Sequence, residues 1–363
     1  MRKQLILISF CVLILIPFAA CNHADSNKSA VSVGFSHSLV IDKNGNLWAF
    51  GLNSGGQLGD GTTVDRHSPV QIKAGTKFIA VSAADFHSFA IDKSGNLWGW
   101  GDNHYGQLGD GTTVDRHSPV QVKAGTKFIA VSAAGFHILA IDKAGNLWSW
   151  GKNNGQLGDG TTDDRALPVQ IKAGTKFSAI SASHDHNLAI DKNGKLWAWG
   201  KNYSEQLGNG TKADEILPVQ IKKDTKFVAV EAGNSNSFAI DKDGSLWAWG
   251  SASFGTVQIK SDVKFTQISA GTSNHSRIAI DAQGFLWGWG RNDCGQLGDG
   301  TLTDRDSPVQ IRPDIEFIAV VTGNHTLAID KEGNVWAWGS NFKGQLGDGT
   351  NEFTLSFVQV KFS

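Results

Sequence analysis

The chain has 363 residues, of which 43 are Gly, 13 are Trp and only three are Cys. At ~100–200 residues per domain, this length would suggest two or three domains. Lys and Arg total 33 against 34 for Asp and Glu, so there is no basic surplus to favour nucleic-acid binding. Three Cys cannot build a disulfide scaffold. The surplus of Trp and Gly instead indicates a repeated unit.

The first twenty residues have the pattern of an export signal. Arg2 and Lys3 precede an apolar run over residues 5–20. A helix of that length would span about 24 Å, which is less than the ~30 Å hydrocarbon core of a bilayer. We therefore predict a signal peptide over residues 1–20 rather than a membrane span.

The end of this run resembles the bacterial lipobox. Ala19 and Ala20 precede Cys21, although Phe18 stands where that motif usually has Leu. The resemblance implies that Cys21 is lipidated and begins the mature chain, with residues 21–29 as a tether to a membrane. The alternative is an ordinary signal peptide cleaved after Ala20, which would release a secreted protein. Because the mature chain is mildly acidic, the lipid and not the protein charge would have to provide the anchoring.

Seven copies of one unit follow. The motif Leu/Val-Trp-x-Trp/Phe-Gly contains every Trp of the chain, and its spacing is 49 or 50 residues except for one interval of 40. Its first Trp residues are Trp48, Trp98, Trp148, Trp197, Trp247, Trp287 and Trp336. Each copy carries four short apolar segments, and a Gly-containing turn and a long Gly-rich loop separate some of them. This pattern predicts an all-β, seven-bladed β-propeller with four-stranded blades over residues 30–363.

The ends of the chain suggest how the ring closes. The first unit begins with three strands, and residues 357–360 supply a last strand without a partner. The link from a fourth strand to the next first strand is short, as in residues 73–77, whereas the link after the Trp strand is long. We therefore predict that each fourth strand shares a blade with the residues that follow it. The C-terminal strand would then complete the first blade and leave no exposed edge.

The order of elements resembles a known repeat family. Gln-Leu-Gly-x-Gly, Pro-Val, a Gly-x-x-His-Ser-type turn and Asp-x-x-Gly-x-Leu-Trp-x-Trp-Gly are similar to the regulator-of-chromosome-condensation repeats, and the match covers residues 30–363. The resemblance implies a seven-bladed propeller. By analogy with the eukaryotic namesake it also implies guanine-nucleotide exchange, although the regular spacing leaves no room for the wedge-like insertion that the namesake uses. Exported β-lactamase inhibitory proteins of the type II kind are similar too, but no loop residue here identifies that target.

Two sets of repeated polar residues could carry chemistry. The first is a histidine in six copies, with Asn236 in the other: His37, His87, His137, His186, His275 and His325. The second is an acidic or amide residue of the Gly-rich loops: Asp60, Asp110, Asp159, Asn209, Asp299 and Asp348. Histidines spread around a ring do not converge to the ~2 Å that metal ligation needs, so we interpret them as structural. We interpret the aspartates as solvated charges of the loops. No catalytic motif occurs, and we expect no enzymatic activity, cofactor or metal.

Departures from the repeat indicate a binding site. After Trp249 the Gln-Leu-Gly-Asp-Gly loop is missing, which explains the interval of 40 residues. We predict a notch there, with Asn234, Asn236 and Phe254 beside it. Aromatic residues dominate interface hot spots, and five of them in the turns and loops are further candidate anchors: Phe86, Tyr105, Phe136, Tyr203 and Phe342.

The sequence thus predicts an exported, monomeric, non-catalytic scaffold. Its loops would bind another protein or envelope macromolecule, but not nucleic acid, while Cys21 attaches it to a membrane. Two alternatives are a guanine-nucleotide exchange factor, by family analogy, and a propeller enzyme that acts on polysaccharide at the channel mouth.

Overall fold

A computed structural model describes residues 29–251, 256–271 and 275–362. These residues form seven antiparallel sheets of four strands each, which confirms the all-β, seven-bladed propeller. The predicted signal peptide, Cys21 and Phe254 lie outside the described residues. Within the described residues, no helix has the length and apolarity needed to span a bilayer.

The first four blades follow one another along the chain. Blade 1 comprises β1 (Ala30–Val33), β2 (His37–Ile41), β3 (Leu47–Gly51) and β4 (Arg66–Ile72). Blade 2 comprises β5 (Phe78–Ala83), β6 (His87–Asp92), β7 (Leu97–Gly101) and β8 (Arg116–Val122). Blade 3 comprises β9 (Phe128–Ala133), β10 (His137–Asp142), β11 (Leu147–Gly151) and β12 (Arg165–Ile171). Blade 4 comprises β13 (Phe177–Ala182), β14 (His186–Asp191), β15 (Leu196–Gly200) and β16 (Glu215–Ile221).

The remaining three blades include the irregular one. Blade 5 comprises β17 (Phe227–Ala232), β18 (Asn236–Asp241), β19 (Leu246–Gly250) and the short β20 (Val257–Ile259). Blade 6 comprises β21 (Phe265–Ala270), β22 (Ser276–Asp281), β23 (Leu286–Gly290) and β24 (Arg305–Ile311). Blade 7 comprises β25 (Phe317–Thr322), β26 (His325–Asp330), β27 (Val335–Gly339) and β28 (Thr354–Gln359).

The hydrophobic core lies between neighbouring blades. Every residue of the second strand is buried in each blade, because a neighbouring blade covers each face of the sheet. Trp100 of blade 2, for example, packs in one cluster with Leu39 and Leu47 of blade 1. A buried Trp removes ~150–250 Å² from water, so the second aromatic residue of the motif, Trp in six blades and Phe50 in blade 1, is the main filler of the space between blades.

The predicted sharing of strands between repeats is wrong. The fourth strand belongs to the blade of the Trp strand before it, with Leu47 opposite Ile72 and Gly51 opposite Arg66. The C-terminal strand β28 accordingly pairs with β27 in blade 7 and not with blade 1. The long loop returns to its own blade, and the side-chain amide of Asn53 bonds across it. The prediction took a short link to mean a shared blade. A five-residue link is, however, long enough to reach the next blade when blades pack face to face.

The ring closes through side chains instead of a shared sheet. The Ser38 hydroxyl of blade 1 lies 2.7 Å from Nε2 of His325 and donates to the carbonyl oxygen of Gln345, both in blade 7. Beyond β28, the ring of Phe362 lies 5.5 Å from that of Trp48. Blades 7 and 1 are thus joined by the same kind of contact that joins the other blades.

The two ends of the propeller differ. One end, which we call the loop face, carries the turns between first and second strands and the long loops between third and fourth strands. The other end, the turn face, carries the tight hairpins between second and third strands and the links between blades. Hydrogen bonds support both groupings: Leu52 donates to Ser36 on the loop face, and Phe78 donates to Gly45 on the turn face.

Replacing Phe362 by Ala tests this mode of closure. The variant loses the packing on Trp48 at the junction of blades 7 and 1, and we expect the free energy of unfolding to fall by about 2 kcal/mol. The matched control is Phe353→Ala, whose ring is 46% exposed and should matter little. Thermal and urea unfolding measure both variants, and equal stability of the two would contradict the closure described above.

Candidate functional site

The innermost strands of all seven blades line a central channel of about 110 Å³. A hydrogen-bonded ring of small polar residues joins these strands. Ser32 accepts from the backbone of Ala83 at 2.9 Å, and Ser82 accepts from that of Ala133 at the same distance. The pattern continues through Ser132, Ser181 and Ser269. These serines tie five pairs of neighbouring blades along the wall of the channel, whereas blade 7 has Val321 at the corresponding position.

Glu231 takes the place of a serine in this ring. Its carboxylate accepts from the backbone of Ala270 and from the hydroxyl of Ser181, both at 3.3 Å. Burial raises the pKa of Glu231 to about 8, and these two hydrogen bonds only partly oppose that rise. The carboxyl group is consequently protonated for the most part at neutral pH and adds little charge to the channel.

An ion pair crosses the mouth of the channel on the loop face. Nε2 of His184 in blade 4 lies 2.9 Å from Oδ2 of Asp85 in blade 2. The hydrogen bond to Asp85 raises the pKa of His184, although burial opposes the rise. Gly135 of blade 3 lies between them, and a Cβ there would come within 2.4 Å of the His184 ring. The pair therefore depends on the absence of a side chain at Gly135.

The long loops of the loop face are held rigidly by their own side chains. In blade 1, Nδ2 of the buried Asn53 donates to the carbonyl oxygens of Thr62 and Val64, both at 3.1 Å. Nε of Arg66 donates to Asp60 at 2.8 Å, and the Asp60 side chain is only 4% exposed. The interpretation of the loop aspartates as solvated charges is thus wrong for four of them, which pair with arginines: Asp60, Asp110, Asp159 and Asp299.

Each long loop also holds the following blade. The carbonyl oxygen of Gln57 in blade 1 accepts from the Ser88 hydroxyl and from Nε1 of Trp100 in blade 2, both at 2.8 Å. Gly59 has a φ of 78°, and a Cβ at this position would lie 2.7 Å from the Trp100 ring. Glycine is required there because the loop turns in the left-handed region against the neighbouring indole.

The repeated histidines are buried between blades. Four of them bond to the next blade through Nε2; that of His37, for example, lies 2.8 Å from the Ser88 hydroxyl. Burial lowers the pKa of all five to about 3 or 4, so they are neutral: His37, His87, His137, His186 and His325. The assignment of His275 to this set is wrong, because Ser276 opens β22 and takes the equivalent place. His275 precedes it with a φ of 58° and is exposed.

The predicted aromatic anchors lie on the loop face. Phe86, Tyr203 and Phe342 are 37%, 55% and 68% exposed, respectively. Tyr105 and Phe136 are half-buried and pack edge to face with ring centroids 5.2 Å apart. These residues therefore occupy one end of the molecule, on several blades.

The predicted notch residues differ in their burial. Asn234 is half-buried in the turn between β17 and β18, whereas Asn236 is only 2% exposed and lies between blades. Asn236 is buried because it occupies the position of the inter-blade histidines. The prediction for Phe254 remains untested, since the residue lies outside the described part of the chain.

Sequence reasoning missed three residues of this face. Phe35 is 43% exposed and lies 6.2 Å from Phe86 by ring centroids. Nζ of Lys152 lies 4.6 Å above the Tyr105 ring. His184 and Phe35 stand two residues before the repeated histidine in their blades, so the signal was present in that variable position.

One group of side chains on the loop face has the composition of a metal site. Potential ligand atoms of Asp102, His104 and Asp115 lie within 4.8 Å of one another. They already have partners, since His104 bonds to Asp102 and Asp115 accepts from the backbone of Asn103. His104 is also exposed, and the group carries no further argument for a metal.

Comparison with known families identifies the class of this propeller. The model of the RCC1-like domain matches residues 15–264, and the chain belongs to that family. Regulator of chromosome condensation (RCC1) repeats match residues 283–329, 332–361 and, in a second model, 318–345. A comparison with curated protein sequences finds no match.

Solved structures share the fold at low sequence identity. Human WBSCR16 is 22% identical with a TM-score of 0.74, and the match covers 82% of this chain and 85% of that one. Prp20p from Saccharomyces cerevisiae is 20% identical with a TM-score of 0.77, covering 88% and 86%. Yeast RCC1 (Prp20) bound to Kap60 gives the same identity and score, covering 88% and 84%. These similarities establish the fold only.

Replacing Gly135 by Ala tests the ion pair across the channel mouth. The new methyl group displaces the His184 ring from Asp85, so we expect the pKa of His184 to fall towards its ordinary value. NMR titration of the histidine ring measures that pKa. The control is Gly323→Ala, in the corresponding turn of blade 7, where the nearest atom would lie 3.5 Å from the Cβ. An unchanged pKa in Gly135→Ala would show that Gly135 does not determine the pair.

Proposed function

We propose that this protein is an exported, non-catalytic scaffold that binds another protein of the cell envelope through its loop face. The observation that carries the proposal is the set of exposed aromatic side chains on that face, on loops that are already rigid. Phe86 and Tyr203 are more than one-third exposed, and Tyr203 also bonds through its hydroxyl to Ser235 at 3.1 Å. Aromatic residues held in place lose little conformational freedom on binding, which favours affinity.

Relatives support protein binding in general terms. Yeast RCC1 (Prp20) has a structure with Kap60 bound, and Prp20p has described binding properties towards Gsp1p and histones. This chain shares their fold at about one-fifth sequence identity. We therefore propose only the general activity, protein binding, and not the same partner. Export is proposed from the apolar run over residues 5–20, and a membrane anchor from Cys21 after two Ala.

Exchange of two exposed aromatic residues tests the binding face. In the mature domain, Phe86→Ser combined with Tyr203→Ser removes apolar contact area without touching the core, and we expect about tenfold or greater loss of affinity. Binding is measured by titration against a partner captured from envelope or culture-medium proteins by the wild type. The control is Leu167→Ser, which removes a 60% exposed side chain from an outermost strand. The proposal for the loop face fails if the double variant and the Leu167→Ser control lose binding equally, or if neither loses it.

Labelling with palmitate tests the anchor. We expect the full chain to incorporate the label in a bacterial host and the Cys21→Ala variant to lose it, because the lipid would be attached to that thiol. Cys294→Ala is the control and should retain the label, since Cys294 lies within the propeller. Label that persists in Cys21→Ala would refute lipidation at this residue.

The two alternatives predict other results with the same mature domain. A propeller enzyme would turn over one of a panel of envelope glycans, and an exchange factor would accelerate nucleotide release from a GTPase. Either activity would replace the proposal of a purely binding function. The loop-face variants described above would then show whether the activity uses the same surface.

A further inference from the structure

Blade 5 lacks the loop that elsewhere supplies a hydrogen-bond acceptor to the next blade. In blade 1, residues 52–65 connect the third and fourth strands, whereas in blade 5 only residues 251–256 do so. The missing part includes the glutamine whose carbonyl oxygen accepts from the tryptophan of the following blade. Five tryptophans are satisfied in this way: Trp100, Trp150, Trp199, Trp249 and Trp338.

Trp289 of blade 6 is the counterpart that has lost its acceptor. Its Nε1 has no hydrogen-bond partner among the described residues. Trp289 is 5% exposed, while its five counterparts are at most 1% exposed. Gly290, which follows it, is half-buried, whereas the equivalent glycines of the other six blades are buried. The junction between blades 5 and 6 is therefore more open than the other junctions.

A buried guanidinium group stands at the same place. Arg277 lies opposite Trp289 in the sheet, at a position where three other blades have Ser38, Ser88 and Ser237. It is 9% exposed, and its guanidinium carbon lies 5.5 Å from the ring centroid of Phe238 in blade 5. No carboxylate of the described residues lies within ion-pair distance of it. The ranges 252–255 and 272–274, which the structure does not describe, contain no Asp or Glu.

A third donor completes the set on the side of blade 5. Asn236 replaces a histidine whose Nε2 contacts a serine of the next blade at three other junctions. Its Nδ2 is buried and has no hydrogen-bond partner in the described part of the molecule. Asn236 and Arg277 are thus paired replacements at one junction. At this junction the short amide side chain of Asn236 replaces an imidazole, and the long guanidinium side chain of Arg277 replaces a hydroxyl group.

We propose that the junction of blades 5 and 6 is a binding site for a carboxylate, supplied by an acidic side chain of the protein that the loop face binds. The inference rests on the proposed binding function and names the chemistry of one subsite. A carboxylate would replace the missing carbonyl oxygen as acceptor for Trp289 and would neutralise Arg277. Buried charges without a partner are costly, and a planar carboxylate matches the fork of a guanidinium group. One arginine without a lysine cluster suits a single negative charge better than a phosphate.

Sodium acetate serves as the first probe, with sodium chloride at equal ionic strength as its control. The readout is the indole ¹⁵N–¹H signal of Trp289 in the mature domain, assigned by its loss in Trp289→Phe. Phe50 fills the equivalent position of blade 1, so the fold accepts this substitution. We expect a saturable shift of this signal with acetate and none for the other indoles. The absence of any shift with acetate would overturn the proposal.

Two arginine variants show whether the shift reports binding at Arg277. Arg277→Ser restores the residue found in other blades, and we expect about tenfold or weaker acetate binding. Arg312→Ser is the matched control, because Arg312 lies on the turn face and already pairs with Asp314. Unaltered acetate affinity in Arg277→Ser would also overturn the proposal. If the dispersion of the other indole signals shows that Arg277→Ser is unfolded, Arg277→Lys replaces it, with weaker binding expected.

A pair of peptides identifies the source of the carboxylate. N-acetyl-Ala-Ala-Glu-Ala-Ala-amide should shift the Trp289 signal, and the same peptide with Gln in place of Glu should not. Equal shifts by both peptides would contradict recognition of an acidic side chain. These probes need no macromolecular partner, so their failure is distinguishable from failure of the proposed function. A partner retained by the loop face without any carboxylate effect would contradict only the subsite.

Discussion

The hydrogen bond from a tryptophan to the glutamine carbonyl of the preceding blade is the contact on which the ring depends. It joins a loop of one blade to the sheet of the next, and it recurs at five junctions. It also fixes the long loop, because the Gln-Leu-Gly segment must lie against the indole. Stability of the ring and rigidity of the loop face are therefore two results of the same interaction.

Closure of the ring follows the same logic. Blade 1 has Phe50 in place of the second tryptophan, yet the carbonyl oxygen of Gln345 in blade 7 still accepts from Ser38. Phe362 adds packing at that junction. Because the junctions between blades are similar, the ring closes without a strand exchanged between its ends. Each junction combines a buried aromatic ring with a hydrogen bond between the two blades.

Individual junctions differ where the repeat is interrupted, and these differences concentrate the distinctive chemistry. Glu231 stands in the serine ring of the channel, Asp85 and His184 meet across the channel mouth, and Arg277 occupies a serine position beside the missing loop. Each introduces an ionisable side chain at a position whose residue varies among the blades. Function in this protein is therefore expected at the irregular positions and not at the repeated ones.

The repeat itself could be recognised from the sequence, since strand patterns and tryptophan spacing are local properties of the chain. The number of blades, the position of the aromatic loop residues and the missing loop were all predictable for this reason. The predicted grouping of strands into blades was wrong, because link length does not say which strands hydrogen-bond. The assignment of His275 failed for a similar reason, since strand register and not residue type decides that Ser276 faces the next blade.

The sequence by itself thus determined the class of fold, because seven near-identical units with paired tryptophans can bury their surfaces only against one another. Tertiary structure alone decided which polar groups meet. Asp85 and His184 are 99 residues apart in the chain, and only the curvature of the ring, with no side chain at Gly135, brings them to 2.9 Å. The absence of an acceptor for Trp289 likewise appears only when two blades face each other, since hydrogen-bond satisfaction is a property of their junction.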